Sequence, residues 1–230
     1  MSPVKVSYFS DALCVWAYVG QKRLDQLAQD FGDQIEIETH YCAVFPDAWS
    51  KIETNWSSRG GFEGFGAHVN EVGDKFPHVQ INPKLWQAAR PRTSTSVHQF
   101  LKAIELIEHD DQSQSGLPFP DRLSTRAAWA VRCAFFRDAR DISHWDVLRE
   151  IAGDLGLDAD GVEEKISTAE AIALLARDDQ LCKDQGITGS PTYLLNHGRQ
   201  KLFGNVGYRL IEANVHELLR NHSADEASWC

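Results

Sequence analysis

The sequence predicts an α/β fold whose strands lie near the two ends of the chain, with an all-helical stretch between them. Three observations carry this. Val4–Phe9 and Gln34–Phe45 read as strands on either side of an amphipathic segment. Residues 192–203 read as a hairpin that runs into a last amphipathic segment. Between these ends, apolar residues recur at helical spacing and not in alternation.

The first strand, Val4 to Phe9, is β-branched and aromatic and stops at Ser10-Asp11, a pair suited to capping a helix. Trp16, Val19, Leu24, Leu27 and Phe31 then follow at helical spacing, and Gly32 ends the run. In the second strand Ile35, Ile37, Thr39 and Tyr41 alternate onto one face, and Pro46 closes it. Strand, helix, strand makes a βαβ unit with parallel strands. At the far end, a strand over Thr192–Leu195 turns through Asn196-His-Gly-Arg199 and returns through Leu202 and Phe203. Ile211, Val215 and Leu218 mark a final helix over Tyr208–Arg220, and Ser223–Cys230 reads as a tail.

In the middle, one helix is marked by Val97, Phe100, Leu101, Ile104 and Ile107 and another by Leu123, Ala127, Ala130 and Ala134. Ser143-His-Trp-Asp146 resembles a capping box that opens a third, and a fourth over Thr168–Gln185 turns Ile172, Leu175 and Ala176 inward. Residues 57–66 are glycine-rich and read as a loop, either a mobile cover over a site or a plain surface connection. The two end units together make a four-stranded thioredoxin-type core, supplied by residues 1–48 and 184–230, with 49–183 as a helical insertion.

Composition narrows the function. With 43% apolar and 24% charged residues the chain is ordinary globular material. A net charge of -10 without a basic patch excludes nucleic acid and anionic membrane as partners. No apolar run reaches the ~18–20 residues of a membrane span. The start, Met-Ser-Pro-Val-Lys-Val, runs into a strand without the features of a signal peptide, so a cytoplasmic, reducing setting is expected. The five cysteines, Cys14, Cys42, Cys133, Cys182 and Cys230, lack paired spacing, which points to free thiols and to no metal.

Cys14 is the leading candidate for chemistry. It stands just beyond the first strand where the helix begins, and the helix dipole there favours a thiolate. A thiolate is the nucleophile for thiol–disulfide exchange, while a small inert core cysteine is the plainer alternative. Ser190-Pro191-Thr192 is the second element, because a proline that opens a strand requires a special geometry.

Together the two positions resemble the DsbA-like branch of the thioredoxin superfamily. The likeness is nearest to FrnE-type cytosolic oxidoreductases, then to 2-hydroxychromene-2-carboxylate isomerases and kappa-class glutathione transferases. It is carried by Phe9-Ser-Asp-Ala-Leu-Cys14-Val-Trp-Ala-Tyr-Val-Gly20, Thr93–His98, Phe136–Ile142 and Gly186-Ile-Thr-Gly-Ser-Pro-Thr192. The resemblance implies Cys14 as nucleophile, a cis Pro191 beside it, Ser190 presenting backbone groups to substrate, and Trp16 shaping the entrance. It also implies glutathione as co-substrate without tight binding. The family's Ser-Asp pair for the γ-glutamyl end is Asn205-Val206 here; Asn205 can donate to a carboxylate, but Val206 cannot balance an ammonium.

One departure matters more than the match. The second cysteine of the C-x-x-C motif is Ala17, so release of a mixed disulfide needs another thiol. Cys42 near the end of the second strand and Cys230 on the tail are internal candidates; Cys133 and Cys182 read as core residues. The histidines lack ligand spacing, and Trp86 is a candidate to line a cleft. The expected function is monothiol disulfide exchange or isomerisation on thiol or disulfide substrates with an external thiol such as glutathione. Alternatives are a glutathione-dependent isomerase or transferase acting on a small electrophile, and a non-catalytic module that docks extended peptides. The oligomeric state is open, a homodimer included.

Overall fold

A computed structural model of the protein describes residues 2–114 and 116–220. Both ends behave as their patterns require. β1 (Val4–Ser10) leads through a short turn to α1 (Val15–Phe31), and β2 (Ile35–Tyr41) returns parallel to β1, from Val4 opposite Ile35 to Ser10 opposite Tyr41. Far along the chain, β3 (Thr192–Leu195) and β4 (Gln200–Phe203) form the hairpin. β3 inserts antiparallel against β1, giving the order β2-β1-β3-β4.

Alternation along β1 divides the core. Val4, Val6 and Tyr8 pack with Leu24, Leu27 and Phe31 of α1 and with Ile211, Val215 and Leu218 of the last helix, which spans Tyr208–Arg220. Phe9 and Leu194 face the other way, against Cys42, Cys182 and Ile187. All other helices fall between β2 and β3. In chain order they are α2 (Ala48–Trp56), α3 (Gly61–Gly73), α4 (Thr95–Asp110), α5 (Leu123–Phe136), α6 (Trp145–Asp154), α7 (Ala159–Ser167) and α8 (Glu170–Asp184); the last helix is α9. Their apolar faces merge with Leu13, Val15, Tyr18 and Val19 in one cluster, so the helical block grips the start of α1. Burial of this kind stabilises by roughly 25 cal/mol per Å² of apolar surface.

Several local expectations are corrected. The glycine-rich stretch 57–66 is no loop: it forms a 3-10 turn and then the start of α3. Its glycines serve close packing. A Cβ on Gly64 would stand 1.7 Å from the Arg59 carbonyl oxygen, and one on Gly66 would stand 2.4 Å from that of Leu85. Gly64→Ala is therefore expected to lose about 1–3 kcal/mol or more of stability in urea unfolding; an unchanged midpoint would contradict the packing. β2 stops at Tyr41, short of Phe45, because the N–H groups of Val44 and Phe45 are taken by a side chain and not by a strand. α6 starts one residue later than the proposed box, with His144 as N-cap, while the Ser143 hydroxyl donates to Asp141. The fourth predicted helix begins at Glu170, and α7 precedes it. Its inner face is Ala171, Leu175, Asp178 and Cys182, whereas Ile172 is 40% exposed and Ala176 is exposed as well. Trp86 lines no cleft; it is fully buried among Phe45, Phe62, Phe65 and Phe135. The tail with Cys230 lies outside the described residues.

Candidate active site

Cys14 is the N-cap residue of α1, with an extended backbone and its carbonyl accepting from Ala17 and Tyr18. No side chain caps this helix. Asp11, read as its cap, does something else. Its N–H donates to Ser190 Oγ at 2.9 Å, and its buried carboxylate accepts from the N–H groups of Leu13, Val44 and Phe45 at 2.8, 2.7 and 3.0 Å. The Ser94 hydroxyl adds a fourth bond at 2.7 Å. One carboxylate thus ties the β1–α1 turn to the segment after β2 and to the start of α4.

His98 completes the turn. Its Nε2 accepts from the Ala12 N–H at 3.0 Å, which places the proton of a neutral ring on Nδ1. Burial pushes its pKa down, against the attraction of the Asp11 carboxylate. The ring stacks on Tyr41 with centroids 5.0 Å apart. Three other histidines are also held by structural partners: His40 Nδ1 meets Asp178, His78 Nε2 meets the Val19 carbonyl, and His68 packs on Trp56.

Opposite Cys14 stands the loop before β3. The Ser190–Pro191 peptide bond is cis, and the Cys14 thiol donates to the Ser190 carbonyl at 3.2 Å. Cys14, Ser190 and Pro191, found far apart in sequence, are therefore assembled at one place. The Ser190 carbonyl is engaged by the thiol in this state. Trp16 is half-buried, edge-on to Phe76 with centroids 6.4 Å apart. Asn205 is exposed and follows Gly204, whose N–H donates to the Pro191 carbonyl at 2.8 Å. Among the described residues nothing bonds Asn205 to Cys14 or Ser190.

The electrostatics reverse one expectation. Cys14 is only 6% exposed. Burial pushes its thiol above the ordinary value, and the nearby Asp11 carboxylate adds to this. The Ser190 hydroxyl and the Ala17 and Trp16 N–H groups pull the other way without overcoming it. The helix start favours a thiolate, as the sequence implied, but desolvation outweighs it.

Cys42 was too weakly patterned to assign from sequence. Its Sγ lies 3.9 Å from the carbonyl oxygen of Gly189, the residue before Ser190, so two sulfurs address consecutive carbonyls of one loop. A hydrogen bond to Cys182, together with burial, pushes the Cys42 thiol up. Cys133 is buried in the helical cluster.

Comparison with known proteins follows this geometry closely. Residues 122–216 match a DSBA-like thioredoxin domain. No curated protein sequence matches the chain significantly. Among solved structures, the chain is similar to a provisionally assigned protein disulfide isomerase from Nitrosomonas europaea, at 14% identity and a TM-score of 0.73, over 96% of this chain and 100% of that one. The cytosolic disulfide reductase DsbM from Pseudomonas aeruginosa, solved with GSH, gives 17% identity and a TM-score of 0.62, over 92% and 99%. A 2-hydroxychromene-2-carboxylate isomerase gives 15% and 0.61, over 94% and 96%. At these identities the likeness establishes the DsbA-like fold with its helical insertion. No described helix is long and apolar enough to cross a membrane.

Proposed function

We propose that the chain is a cytoplasmic monothiol disulfide reductase or isomerase that works through Cys14 with glutathione as the second thiol. The observation that supports it is Cys14 Sγ at 3.2 Å from Ser190, beside Pro191, with Ala17 in place of a second motif cysteine. In the reaction, Cys14 loses its proton to solvent and its thiolate attacks one sulfur of a substrate disulfide. The S–S bond breaks, the other sulfur leaves as thiolate, and a mixed disulfide with Cys14 remains. A glutathione thiolate then attacks the Cys14 sulfur of that bond, the second substrate sulfur leaves as thiolate, and a further glutathione thiolate frees Cys14 by forming oxidised glutathione. Trp16 flanks the approach, and Asn205 is the residue offered to a glutathione carboxylate.

The raised thiol sets the direction. A strong oxidant stabilises its reduced thiolate, whereas a thiol held protonated is a poor leaving group and favours reduction and reshuffling. The solved relative named a cytosolic disulfide reductase and bound to GSH supports the same reading. A second reading, glutathione-dependent isomerisation of a small electrophile, draws on the burial of Cys14: the activated thiol would then be glutathione's, with Cys14 orienting it.

The test is incubation with oxidised glutathione from pH 6 to 10, with mass spectrometry mapped to each cysteine. One glutathione adduct on Cys14 is expected. Because the folded thiol sits above the ~8.5 of free cysteine, its rate should climb about tenfold per pH unit through pH 7–8.5 and level off only beyond that. Absence of an adduct on Cys14 at every pH would sink the proposal. A plateau below pH 7 would overturn the burial argument, and a Cys14–Cys42 disulfide would make Cys42 the resolving thiol.

A further inference from the structure

Away from Cys14, a cavity of about 670 Å³ lies among Tyr8 of β1, Ile37–Tyr41 of β2, and residues of α4, α5 and α8. Neither Cys14 nor Pro191 lines it. Such a volume is that of a small-molecule site.

The lining contains an unusual group. Arg132, on α5, is 2% exposed, yet among the described residues it forms no ion pair. One of its terminal nitrogens donates to Ser10 Oγ at 2.6 Å, and its Nε has no partner. A buried guanidinium with five donors and one neutral acceptor is costly unless an anion completes it. The Tyr8 hydroxyl, buried beside it on the same face of β1 as Ser10, also lacks a partner. Burial pushes the Tyr8 phenol up to about 12, so it remains a donor at neutral pH. Two unfulfilled donor groups therefore line one cavity.

The neighbouring charge limits what can enter. Lys102 is already held by Asp178 at 2.9 Å and Glu105 at 2.8 Å, a triad with one surplus negative charge. Glu38, Glu108 and Asp111 face Arg122 and Arg177 around the rest of the lining, so acidic side chains exceed lysine and arginine there; a polyanion meets that excess, whereas a single carboxylate is matched by the unpaired Arg132. The planar fork of a guanidinium matches the two oxygens of a carboxylate better than a spherical ion.

We propose that this cavity binds a small organic monocarboxylate, whose oxygens accept from the free edge of Arg132 and from the Tyr8 hydroxyl. The site does not depend on the thiol chemistry at Cys14.

The test is titration of the full chain with propionate, chloride and inorganic phosphate in otherwise chloride-free buffer, followed by calorimetry and thermal unfolding. Propionate is expected to bind saturably, with chloride and phosphate at least about tenfold weaker. Arg132→Gln should abolish the binding, and Tyr8→Phe should weaken it about fivefold while keeping the fold. Non-saturable propionate, chloride as tight as propionate, or unchanged affinity in Tyr8→Phe would each overturn the proposal. The last outcome decides the matter even if Arg132→Gln fails to fold.

Discussion

Cys14→Ser is expected to drop disulfide reduction and isomerisation to the uncatalysed background, a loss of about 10³-fold or more, the scale on which removing an attacking nucleophile acts. The reason is local. Cys14 is the cysteine whose sulfur sits at the start of α1 against Ser190, and Ala17 supplies no second sulfur one turn on. The hydroxyl of serine can keep the hydrogen bond to the Ser190 carbonyl, so the fold should survive and the loss should fall on chemistry. Insulin reduction with glutathione as the second thiol measures it. Exchange that persists in Cys14→Ser would remove Cys14 from the mechanism. If exchange is absent from both proteins while turnover of a glutathione-dependent isomerase substrate survives the substitution, the second reading is correct.

Asp11→Ala carries the largest expected effect on stability. The substitution strips one buried carboxylate from three backbone N–H groups and the Ser94 hydroxyl; Val44 and Ser94 keep the carbonyls of Cys42 and Phe45, but the N–H groups of Leu13 and Phe45 lose their acceptor in a dry interior. Each orphaned group costs about 1–3 kcal/mol, and breaking a buried charged network about 3–5 kcal/mol, so a loss of at least about 3 kcal/mol is expected. Urea unfolding at neutral pH measures it. Asp11→Asn should recover part of the loss, since its carbonyl oxygen still accepts two of the bonds. A change below about 1 kcal/mol in Asp11→Ala would show that the N–H groups find other acceptors.

Legibility from sequence followed the range of the interactions. β1, α1, β2, the hairpin and α9 were readable because their patterns of two and 3.6 residues are local, and Gly32 and Gly198 mark their turns. Cys14 and Ser190-Pro191 were readable as candidates because each sits at the edge of such an element, and their meeting is what the structure adds. Other features were illegible for definite reasons. Gly64 and Gly66 carry the composition of a loop, but the carbonyls of Arg59 and Leu85 demand glycine in a helix. Asp11 looked like a cap because its partners at 44, 45 and 94 cannot be inferred from its neighbours. The burial of Cys14, which outweighs the helix dipole, is set by the helical block packed against α1. Arg132 is one of two arginines within an alanine-rich helix, a residue type that ordinarily marks the wet side.

The hydrogen bond between Cys14 and Ser190 joins groups 176 positions apart. A ribosome adding about 5–20 residues per second takes roughly 10–35 s to cover that interval. Through that time the nascent chain holds its nucleophile without the Ser190 carbonyl that its thiol will meet, and the site is assembled only when the loop before β3 emerges.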